Sequence, residues 1–432
     1  MSLQKNGYIN RIVDTKIKEY LTLFGAVSIE GPKWCGKTWT SLNHASSVVY
    51  IMDPVGGYSN RALAQINPAL ILSGDTPRAI DEWQEVPGIW DAVRFDIDNN
   101  PGVGKYILTG SVLPPHGSYM HSGAGRIAVV NMRPMTLFES MNSSGIISLE
   151  AIFNKEKFEP FMTSIDLPGL IDITIRGGWP ETLKLPTEKA GTVAREYIKT
   201  IERNELFRND QAKRNQPKLS KLIRSLARNN ATTVTINTLS MDTDGAERRF
   251  QNEGEIKLSR DSVADYLKSL REIFIIEEIP AWDPAMRSKI IMRQAPKRLF
   301  SDPSLAIAAL GVTKNQLIQD LKTFGFMFEN LCLRDLAVYA DYHGGKIFHY
   351  HDNSELEVDA VIEMPDGSWG AFEVKLGQEQ ADIAARNLLR MKDKIISAGN
   401  EPPLCLVVIT GGGIATLRDD GVYVLPINSI KH

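Results

Sequence analysis

Residues 31–38 of the chain read Gly31-Pro32-Lys33-Trp34-Cys35-Gly36-Lys37-Thr38, which fits the pattern Gly-x-x-x-x-Gly-Lys-[Ser/Thr] at every specified position. The two glycines allow a sharp bend and a close backbone approach to a polyphosphate. The N–H groups of such a loop, and the start of the helix after it, attract negative charge. In this pattern Lys37 reaches the β- and γ-phosphates and the Thr38 hydroxyl binds Mg²⁺. The stretch therefore predicts a nucleotide-binding loop.

The sequence around the loop agrees with this prediction. Residues 26–30 form a short apolar segment before the loop, and residues 39–44 can continue as a helix. Further along, the two apolar residues 79–80 are followed directly by Asp81 and Glu82. In P-loop ATPases the acid at such a strand end holds Mg²⁺ through water, here Asp81, and the next acid, here Glu82, polarises the attacking water.

Two further segments suggest residues that act on the γ-phosphate. Residues 105–111 predict a strand that ends in small polar side chains, where either Thr109 or Ser111 is a candidate sensor; ordinary turn chemistry is the alternative. Arg126 follows a glycine-rich stretch and precedes an apolar segment, so it is a candidate arginine finger for a neighbouring subunit or a solvated arginine. Strands that alternate with helices predict an α/β domain with a parallel sheet and the nucleotide at the carboxyl ends of the strands.

Length and composition set the outer limits of the interpretation. A chain of 432 residues predicts two to four domains, and 43% hydrophobic with 23% charged residues is typical of a globular protein. The net charge of −3 does not by itself indicate a nucleic-acid partner. The three cysteines lack metal-ligand spacing, and no apolar run reaches the ~18 residues of a membrane span. We expect a reduced, soluble, cytoplasmic protein with no membrane partner.

The middle of the chain is locally basic. Residues 211–300 contain 17 Lys and Arg against 11 Asp and Glu, a local charge of +6. Residues 218–228 predict a helix with Lys221, Arg224 and Arg228 along one side, and a second helix followed by an apolar strand ends near residue 276. Helix, turn, helix and strand is a winged-helix order, and the basic excess suits contacts with the DNA backbone. Winged helices also serve as protein-binding modules, so both partners stay open.

The last third of the chain contains a predicted hairpin with charged side chains. The Asp-Gly at residues 366–367 separates two alternating apolar runs. The period of two puts Glu373 and Lys375 on one face of their strand, and Asp359 on the partner strand can lie beside Glu373. Two carboxylates beside a lysine suit metal-dependent phosphodiester hydrolysis, with Asp359 and Glu373 holding Mg²⁺ or Mn²⁺ and Lys375 orienting water. An exposed hairpin with an ordinary Glu/Lys pair is the alternative.

Several of these stretches together resemble a prokaryotic family of AAA+-like ATPases whose C-terminal half is catalogued as a domain of unknown function. The stretches are residues 81–87, 107–111, 125–126, 134–139 and 177–181. The resemblance covers nearly the whole chain and implies an α/β fold with an AAA-type P-loop core, a winged-helix segment and a restriction-endonuclease-like C-terminal domain. With an amphipathic segment interpreted as a helical lid, the expected bounds are 1–145 (core), 146–215 (lid), 216–298 (winged helix) and 299–432 (C-terminal domain).

The C-terminal residues also resemble the PD-(D/E)XK nuclease pattern. Asp359, Glu373 and Lys375 match its three charged positions, and Glu329 matches the acid that such folds often place on the preceding helix. We therefore expect an ATP-hydrolysing AAA-type protein, DNA-directed, with a candidate nuclease site and able to form a homo-oligomer. The alternative is a nucleotide-switched DNA- or protein-binding module that does not cleave. A small-molecule P-loop kinase would leave the C-terminal half unexplained.

Overall fold

The fold consists of two compact units. A computed structural model describes residues 3–112, 120–205, 216–243, 258–284 and 294–432. The first unit comprises Met1–Pro134 with Arg271–Ile275, and the second comprises Met135–Leu270 with Ile276–His432. Within the described ranges, no helix is both long enough and apolar enough to cross a membrane.

The first unit contains a five-stranded sheet in the order β2-β3-β4-β1-β5, with every neighbouring pair parallel. The parallel sheet predicted for this part of the chain is confirmed. Because β4 lies between β1 and β3, the carboxyl ends of these three strands are adjacent. The strands are Ala26–Glu30 (β1), Ser47–Tyr50 (β2), Arg78–Asp81 (β3), Tyr106–Gly110 (β4) and Ile127–Asn131 (β5). The helices are Val13–Leu23 (α1), Lys37–His44 (α2), Ser59–Ile66 (α3) and Gly88–Asn99 (α4).

The burial of the strands agrees with their positions in the sheet. All five residues of β1 and all five of β4 are buried, as expected for central strands of a parallel sheet covered by helices. β5 is an edge strand, and its burial is interrupted by exposed positions. The apolar core beside the sheet includes Trp83 and Trp90, whose ring centroids lie 4.9 Å apart. The sheet therefore provides a rigid base for the polar residues at its carboxyl edge.

The second unit is built on a seven-stranded mixed sheet in the order β10-β11-β12-β13-β15-β14-β7. The strands of this unit are Ile147–Ser148 (β6), Phe161–Met162 (β7), Ile276–Ile279 (β8), Lys297–Phe300 (β9), Lys346–His351 (β10), Glu357–Glu363 (β11), Trp369–Lys375 (β12), Cys405–Thr410 (β13), Ile414–Leu417 (β14), Tyr423–Pro426 (β15) and Ile430–Lys431 (β16). The predicted hairpin is present, because β11 and β12 pair antiparallel.

The described part of the second unit also contains a set of helices. They are Leu149–Phe153 (α5), Leu167–Arg176 (α6), Thr187–Thr200 (α7), Gln216–Arg228 (α8), Ile236–Asp242 (α9), Arg260–Glu272 (α10), Pro303–Leu310 (α11), Lys314–Gln319 (α12), Leu321–Tyr342 (α13) and Ala381–Ser397 (α14). α14 connects the parallel strands β12 and β13 and packs against both of them. α13 is buried along most of its length.

The structure differs from the sequence-based expectation at the start of the second unit. The sequence predicts a helical lid over residues 146–215. Within this segment β7 pairs with β14 at the edge of the seven-stranded sheet, and β6 pairs with β16 in a separate two-stranded sheet. Strands of two residues leave no periodic pattern in a sequence, and their partners lie more than 200 positions away. Helices α6 and α7 follow, as expected for the rest of the segment.

The segment expected to be a winged helix contains three helices and a hairpin. After α8, α9 and α10 come β8 and β9, which pair antiparallel. Thr232, which lies between α8 and α9, forms an isolated antiparallel bridge with Arg298 of β9. Residues 244–257 and 285–293, which belong to the same predicted segment, lie outside the described residues. The basic side chains Lys221, Arg224 and Arg228 are exposed on α8, as the spacing predicts.

A buried guanidinium connects four segments of the second unit. Arg334, on α13, donates to Asp302 Oδ2 at 2.7 Å and to Asp335 Oδ1 at 2.9 and 2.7 Å. Asp302 also accepts from the N–H of Gly178 at 2.9 Å, and Asp335 accepts from the N–H of Leu137 at 2.8 Å. All three charged side chains are buried. The ion pairs therefore hold residues 137, 178 and 302 against α13.

The Gly177-Gly178-Trp179 stretch is part of the same packing. A Cβ on Gly178 would lie 2.1 Å from the carbonyl oxygen of Met135, so only glycine fits there. The indole N–H of Trp179 donates to Ser304 Oγ at 2.9 Å. The sequence alone indicates a turn at this stretch, and the structure assigns it a buried packing role as well.

We predict that Arg334→Met destabilises the second unit by about 3–5 kcal/mol, because Asp302 and Asp335 are then left buried without their counter-charge. The matched control is Asp172→Asn, which breaks the partly exposed Lys314–Asp172 pair of the same unit and changes stability by about 1 kcal/mol or less. Urea unfolding monitored by tryptophan fluorescence measures both. Equal midpoints for the two variants would contradict the prediction.

Candidate functional site

The loop between β1 and α2 has the backbone that its glycines predict. Gly36, immediately before α2, has a φ of 104°, in the left-handed region. A Cβ on Gly31 would lie 2.1 Å from the carbonyl oxygen of Met132, which no larger residue could tolerate. Both glycines of the pattern are therefore required by the backbone, independently of any ligand.

The loop is stabilised by a contact of its own lysine and by an arginine from outside it. Lys37 is buried, and its Nζ donates to the carbonyl oxygens of Gly31 and Pro32, both at 2.8 Å. Arg11, which precedes α1, donates from Nη1 to the carbonyl oxygen of Cys35 at 2.7 Å. The Lys37 amino group therefore lies inside the loop.

The remaining residues of the loop differ in exposure. Pro32 and Cys35 are buried, Lys33 is half-buried, and Trp34 is exposed with a φ of 72°. The thiol of Cys35 lies 3.5 Å from the carbonyl oxygen of Met132, to which it donates. These unspecified positions of the pattern thus divide into a packed pair and a solvent-facing pair.

Asp81 lies next to the loop at the end of β3. Its Oδ1 accepts from the Thr38 hydroxyl and from the Thr109 hydroxyl, each at 2.7 Å. Burial raises the pKa of Asp81, although the two hydroxyls oppose the shift. The sheet order explains this arrangement, because β3 and β4 are neighbours and β4 is the neighbour of β1. Of the two candidate sensors, Thr109 is the one bound to the acid predicted to hold Mg²⁺.

Glu82 is oriented by two side-chain donors and by its own backbone. Its Oε1 accepts from the Ser111 hydroxyl at 3.0 Å, and its Oε2 accepts from the side-chain amide of Gln84. Its N–H donates to Thr109 Oγ1 at 3.2 Å, and its backbone has a φ of 60°. This left-handed conformation turns the chain away from the direction of β3 directly after Asp81. The second candidate sensor, Ser111, is therefore bound to the acid predicted to polarise water.

Arg126 lies at the amino ends of the strands, whereas the loop lies at their carboxyl ends. It precedes β5, which runs parallel to β1, whereas the loop follows the carboxyl end of β1. Its Nε donates to Asp98 Oδ1 at 2.8 Å, and its side chain is 49% exposed. The structure therefore does not bring Arg126 to the nucleotide loop of its own chain.

In the second unit, charged side chains from four elements meet in what we call the Lys297 cluster: Lys297 on β9, Glu329 on α13, Asp359 on β11, and Glu373 with Lys375 on β12. The nitrogen of Lys297 lies 2.6 Å from Glu329 Oε1, 3.3 Å from Asp359 Oδ1 and 3.8 Å from Oε1 of the adjacent Glu357. The Lys297 side chain is 1% exposed.

The other half of the cluster lies across the hairpin. Ala360 and Phe372 are a registered pair of β11 and β12, so Asp359 and Glu373 occupy the next positions. Lys375 Nζ lies 3.1 Å from Glu373 Oε1 and 3.7 Å from Asp359 Oδ2. The structure thus brings together the three residues that match the nuclease pattern, and places Glu329 near them by way of Lys297.

Burial and mutual charge set the ionisation of the cluster. Burial raises the pKa of Glu373 to about 7 and that of Glu329 to about 8, and the charge of Asp359 acts in the same direction on both. Burial alone would also raise the pKa of Asp359, but Lys297 and Lys375 hold it below its usual range. Burial opposes the charge of Lys297, yet Glu329 and Asp359 outweigh burial and raise its pKa. Lys297 and Asp359 are therefore an ion pair at neutral pH.

The donor set of the cluster does not fit a divalent metal. The ammonium of Lys297 lies among the carboxylates that would have to bind the ion, and Val374 donates its N–H to Asp359 Oδ2 at 2.8 Å. In the part of the chain that the structure describes, no three Asp, Glu, His or Cys side chains are arranged to hold a metal. The prediction that Asp359 and Glu373 bind Mg²⁺ or Mn²⁺ is therefore not supported by their surroundings.

Comparison with protein families supplies a description for the first unit. Residues 24–141 match a family model described as an AAA domain. The matched stretch contains the glycine loop, Asp81 and Glu82. Residues 168–316 and 324–430 match two further models, each described as a domain of unknown function. A comparison with curated proteins gave no match.

Three solved structures are similar to the chain at low identity. The Walker-type ATPase of Pyrococcus abyssi is 15% identical, with a TM-score of 0.45 over 71% of this chain and 97% of that one. A RuvB variant of Thermotoga maritima is 14% identical, with a TM-score of 0.28 over 64% and 91%. AMPPCP-bound DnaA of Aquifex aeolicus is 12% identical, with a TM-score of 0.27 over 62% and 89%.

The first unit contains oxygen donors that fit Mg²⁺. A hydroxyl and a carboxylate, those of Thr38 and Asp81, lie within hydrogen-bonding distance of each other beside the phosphate loop. Mg²⁺ prefers one or two protein oxygens, with the other positions taken by water and substrate phosphates. Thr38 and Asp81 are the residues that would hold the ion, which would supply charge neutralisation for the phosphates.

Sequence reasoning found the residues of the pattern and missed those that hold them in place. Arg11 belongs to no motif, and Gln84 lies in residues 81–87, which carry the family resemblance without assigning it a role. Only the folded contacts show what these two side chains hold. Lys297 had a weak signal, as a lysine at the start of a short apolar strand, but strand lysines commonly face solvent. Its burial beside Asp359 depends on the pairing of β9 with β8, which the sequence does not specify.

Proposed function

We propose that the chain binds ATP with Mg²⁺ in the AAA domain and hydrolyses it. The observation that carries the proposal is the meeting of Thr38, Asp81, Thr109 and Glu82 beside the glycine loop at the carboxyl edge of one sheet. Parallel α/β sheets bind ligands at this edge. The loop N–H groups and Lys37 would hold the β- and γ-phosphates, and Thr38 with Asp81 would hold the ion.

Glu82 has the position and the support that a water-activating group needs. Water attacks the γ-phosphorus, the bond to the ADP oxygen breaks, and the carboxylate of Glu82 accepts the proton of the water. Ser111 and Gln84 each occupy one oxygen of that carboxylate, so they fix its orientation. We propose that both are positioning residues for Glu82.

Arg126 suggests a role for a second copy of the chain. It faces solvent in part and lies on the edge of the sheet opposite its own loop. Any contribution of Arg126 to hydrolysis would therefore be made to the loop of another subunit, at the cost of its pair with Asp98. We propose that the ATPase is a homo-oligomer in which Arg126 acts in this way.

We predict that Glu82→Gln lowers the rate of ATP hydrolysis by about 10²–10⁴-fold while ATP binding is retained, because the amide keeps the size of the side chain and cannot accept the proton. Glu85→Gln, at the end of the short 3₁₀ helix Trp83–Glu85 that follows Glu82, is the control and keeps its activity. Phosphate release and binding of a fluorescent ATP analogue measure the two properties. A fully active Glu82→Gln variant would overturn the mechanism.

We further propose that the protein is DNA-directed and that the segment from α8 to β9 is a winged helix. Three helices followed by an antiparallel hairpin support this fold. α8 has four basic residues and no acidic one, and Lys221, Arg224 and Arg228 are exposed on it. On α10, by contrast, the exposed charged side chains include both acidic and basic residues. The face of α8 is therefore the part of this segment that best suits a phosphate backbone.

For DNA binding we predict that Arg224→Ala/Arg228→Ala weakens affinity for duplexes of any sequence and reduces the slope of log K against log salt by about 1 for each phosphate that is no longer neutralised. Arg386→Ala/Arg390→Ala on α14 is the matched control, with the same spacing and exposure in the same unit. Fluorescence anisotropy over a salt series measures both. Equal slopes in the two double variants would exclude α8 as the DNA-binding face.

Metal-dependent phosphodiester cleavage is a second candidate function. It is supported by the meeting of Asp359, Glu373 and Lys375, the three residues of the nuclease pattern. It is opposed by Lys297, whose ammonium lies where the carboxylates would need a metal. A module that binds without cutting agrees with both observations, and we propose this function for the C-terminal domain.

The two functions differ in their effect on supercoiled plasmid. We expect intact plasmid with Mg²⁺ or Mn²⁺, with and without ATP, in preparations that hydrolyse ATP. Nicking by the wild type that disappears in Asp359→Ala would establish cleavage instead. Its further loss in Lys37→Ala would show that ATP controls it. Agarose electrophoresis of the nicked and supercoiled forms is the measurement.

A further inference from the structure

We propose that Lys297 is the resident cation of the Lys297 cluster. In this chain its ammonium fills the position among the carboxylates that a divalent metal would occupy, so the wild-type cluster is held by ion pairs and excludes metal. The proposal deepens the binding function proposed above for the C-terminal domain, and rests on it.

The contacts of the Lys297 nitrogen are those of a buried cation shared by several acids. An ammonium has three N–H donors, and the nearest acceptors are Glu329 at 2.6 Å and Asp359 at 3.3 Å, with Glu357 at 3.8 Å. These acids come from α13 and β11, so a single nitrogen connects a helix to the sheet. The side chain is 1% exposed, which leaves it no solvent-facing alternative without movement of its neighbours.

The oxygens that do not contact Lys297 are also occupied. Asp359 Oδ2 accepts from the N–H of Val374 at 2.8 Å. Glu373 Oε1 pairs with Lys375 at 3.1 Å, and Glu373 Oε2 accepts from the N–H of Asp359 at 3.3 Å. These contacts fix the orientation of both carboxylates of the hairpin, and each oxygen keeps a lone pair for a further ligand. A metal would therefore have to displace Lys297.

Charge balance leads to the same conclusion. Lys297 and Lys375 already supply two positive charges to the carboxyl groups that they face. A divalent ion added to this buried group would have two ammonium groups beside it. Uncompensated buried charge is strongly unfavourable. The cluster would accept a divalent ion readily only after a lysine charge is removed.

The backbone places Lys297 firmly in this position. Lys297 pairs with Ile279 in the β8–β9 hairpin, and the next residue, Arg298, forms an ion pair with Glu278 at 2.8 Å. Because both residues are fixed in a ladder, the lysine enters the cluster from a rigid strand. Removing its amino group while keeping its stem should thus leave a preformed pocket of carboxylates.

Mn²⁺ binding tests the proposal directly. The full-length chain, without nucleotide, is titrated with Mn²⁺, and free Mn²⁺ is counted by electron paramagnetic resonance. We expect wild type and Asp359→Asn to bind the same number of ions. We expect Lys297→Met to bind one more ion than wild type, and Lys297→Met/Asp359→Asn to lose it. Lys314→Met, a lysine with a single acidic partner, is the control and gains none.

Two results would overturn the proposal. One is a wild-type chain that binds one more Mn²⁺ than Asp359→Asn, since the metal would then coexist with Lys297. The other is a folded Lys297→Met chain that gains no ion. The ion count requires neither ATP turnover nor DNA, so its failure would leave the proposed ATPase and DNA-binding functions unaffected.

Thermal melting covers the case in which the substitution disturbs folding. Lys297→Met leaves carboxylates facing one another, so we expect the melting temperature of the second unit to fall by roughly 5–10 °C and to recover when Mn²⁺ is added. A fall that Mn²⁺ does not reverse would contradict the proposal. If Lys297→Met does not fold, the comparison of wild type with Asp359→Asn decides alone, because it needs no change at Lys297.

Discussion

The second unit depends on a single buried guanidinium. Arg334 lies between Asp302 and Asp335, and those two carboxylates in turn accept backbone N–H groups from residues 178 and 137. Each group satisfies another, so no member of the network is left as a bare charge in the interior. Segments that are far apart in sequence meet here. The orientation of α13, and hence the position of Glu329 at the Lys297 cluster, follows from this network.

The two lysines that matter most in this protein have different partners, and the difference decides what each can do. Lys37 contacts carbonyl oxygens of its own loop, which are neutral, so an anionic ligand is a better partner than the ones it has. Lys297 contacts the acidic side chains of Glu329 and Asp359, so its positive charge is already balanced within the fold. One lysine is therefore available to a ligand and the other is committed to the fold. The glycine-loop pattern identifies Lys37 in the sequence, whereas no local pattern identifies Lys297.

The sequence predicted the features that depend on residues close together in the chain, and missed those that depend on contacts between distant residues. The glycine loop, Asp81 at its strand end and the hairpin around residues 366–367 are set by spacing within a few positions, and the structure has all three. The basic face of α8 is likewise a local pattern. Three features depend on long-range contacts that no local pattern specifies. They are the contacts of Lys297 with the cluster, the contact of Arg11 with the loop, and the pairing of strands β6 and β7. The motif at residues 359–375 predicted which side chains meet but not which cation they meet around.

The pairing of β7 with β14 has a consequence for the order in which the protein is made. Thr163 and Gly413, hydrogen-bonded beside this pair, are 250 positions apart. The ribosome therefore synthesises β7, an edge strand of the seven-stranded sheet, long before its partner β14. The pairing of these two strands cannot form until synthesis is almost complete. A fragment that begins at residue 299 lacks β6 and β7, so β14 and β16 would each present an unpaired edge to other chains. The physical boundary of the C-terminal domain thus includes residues synthesised in the first half of the chain.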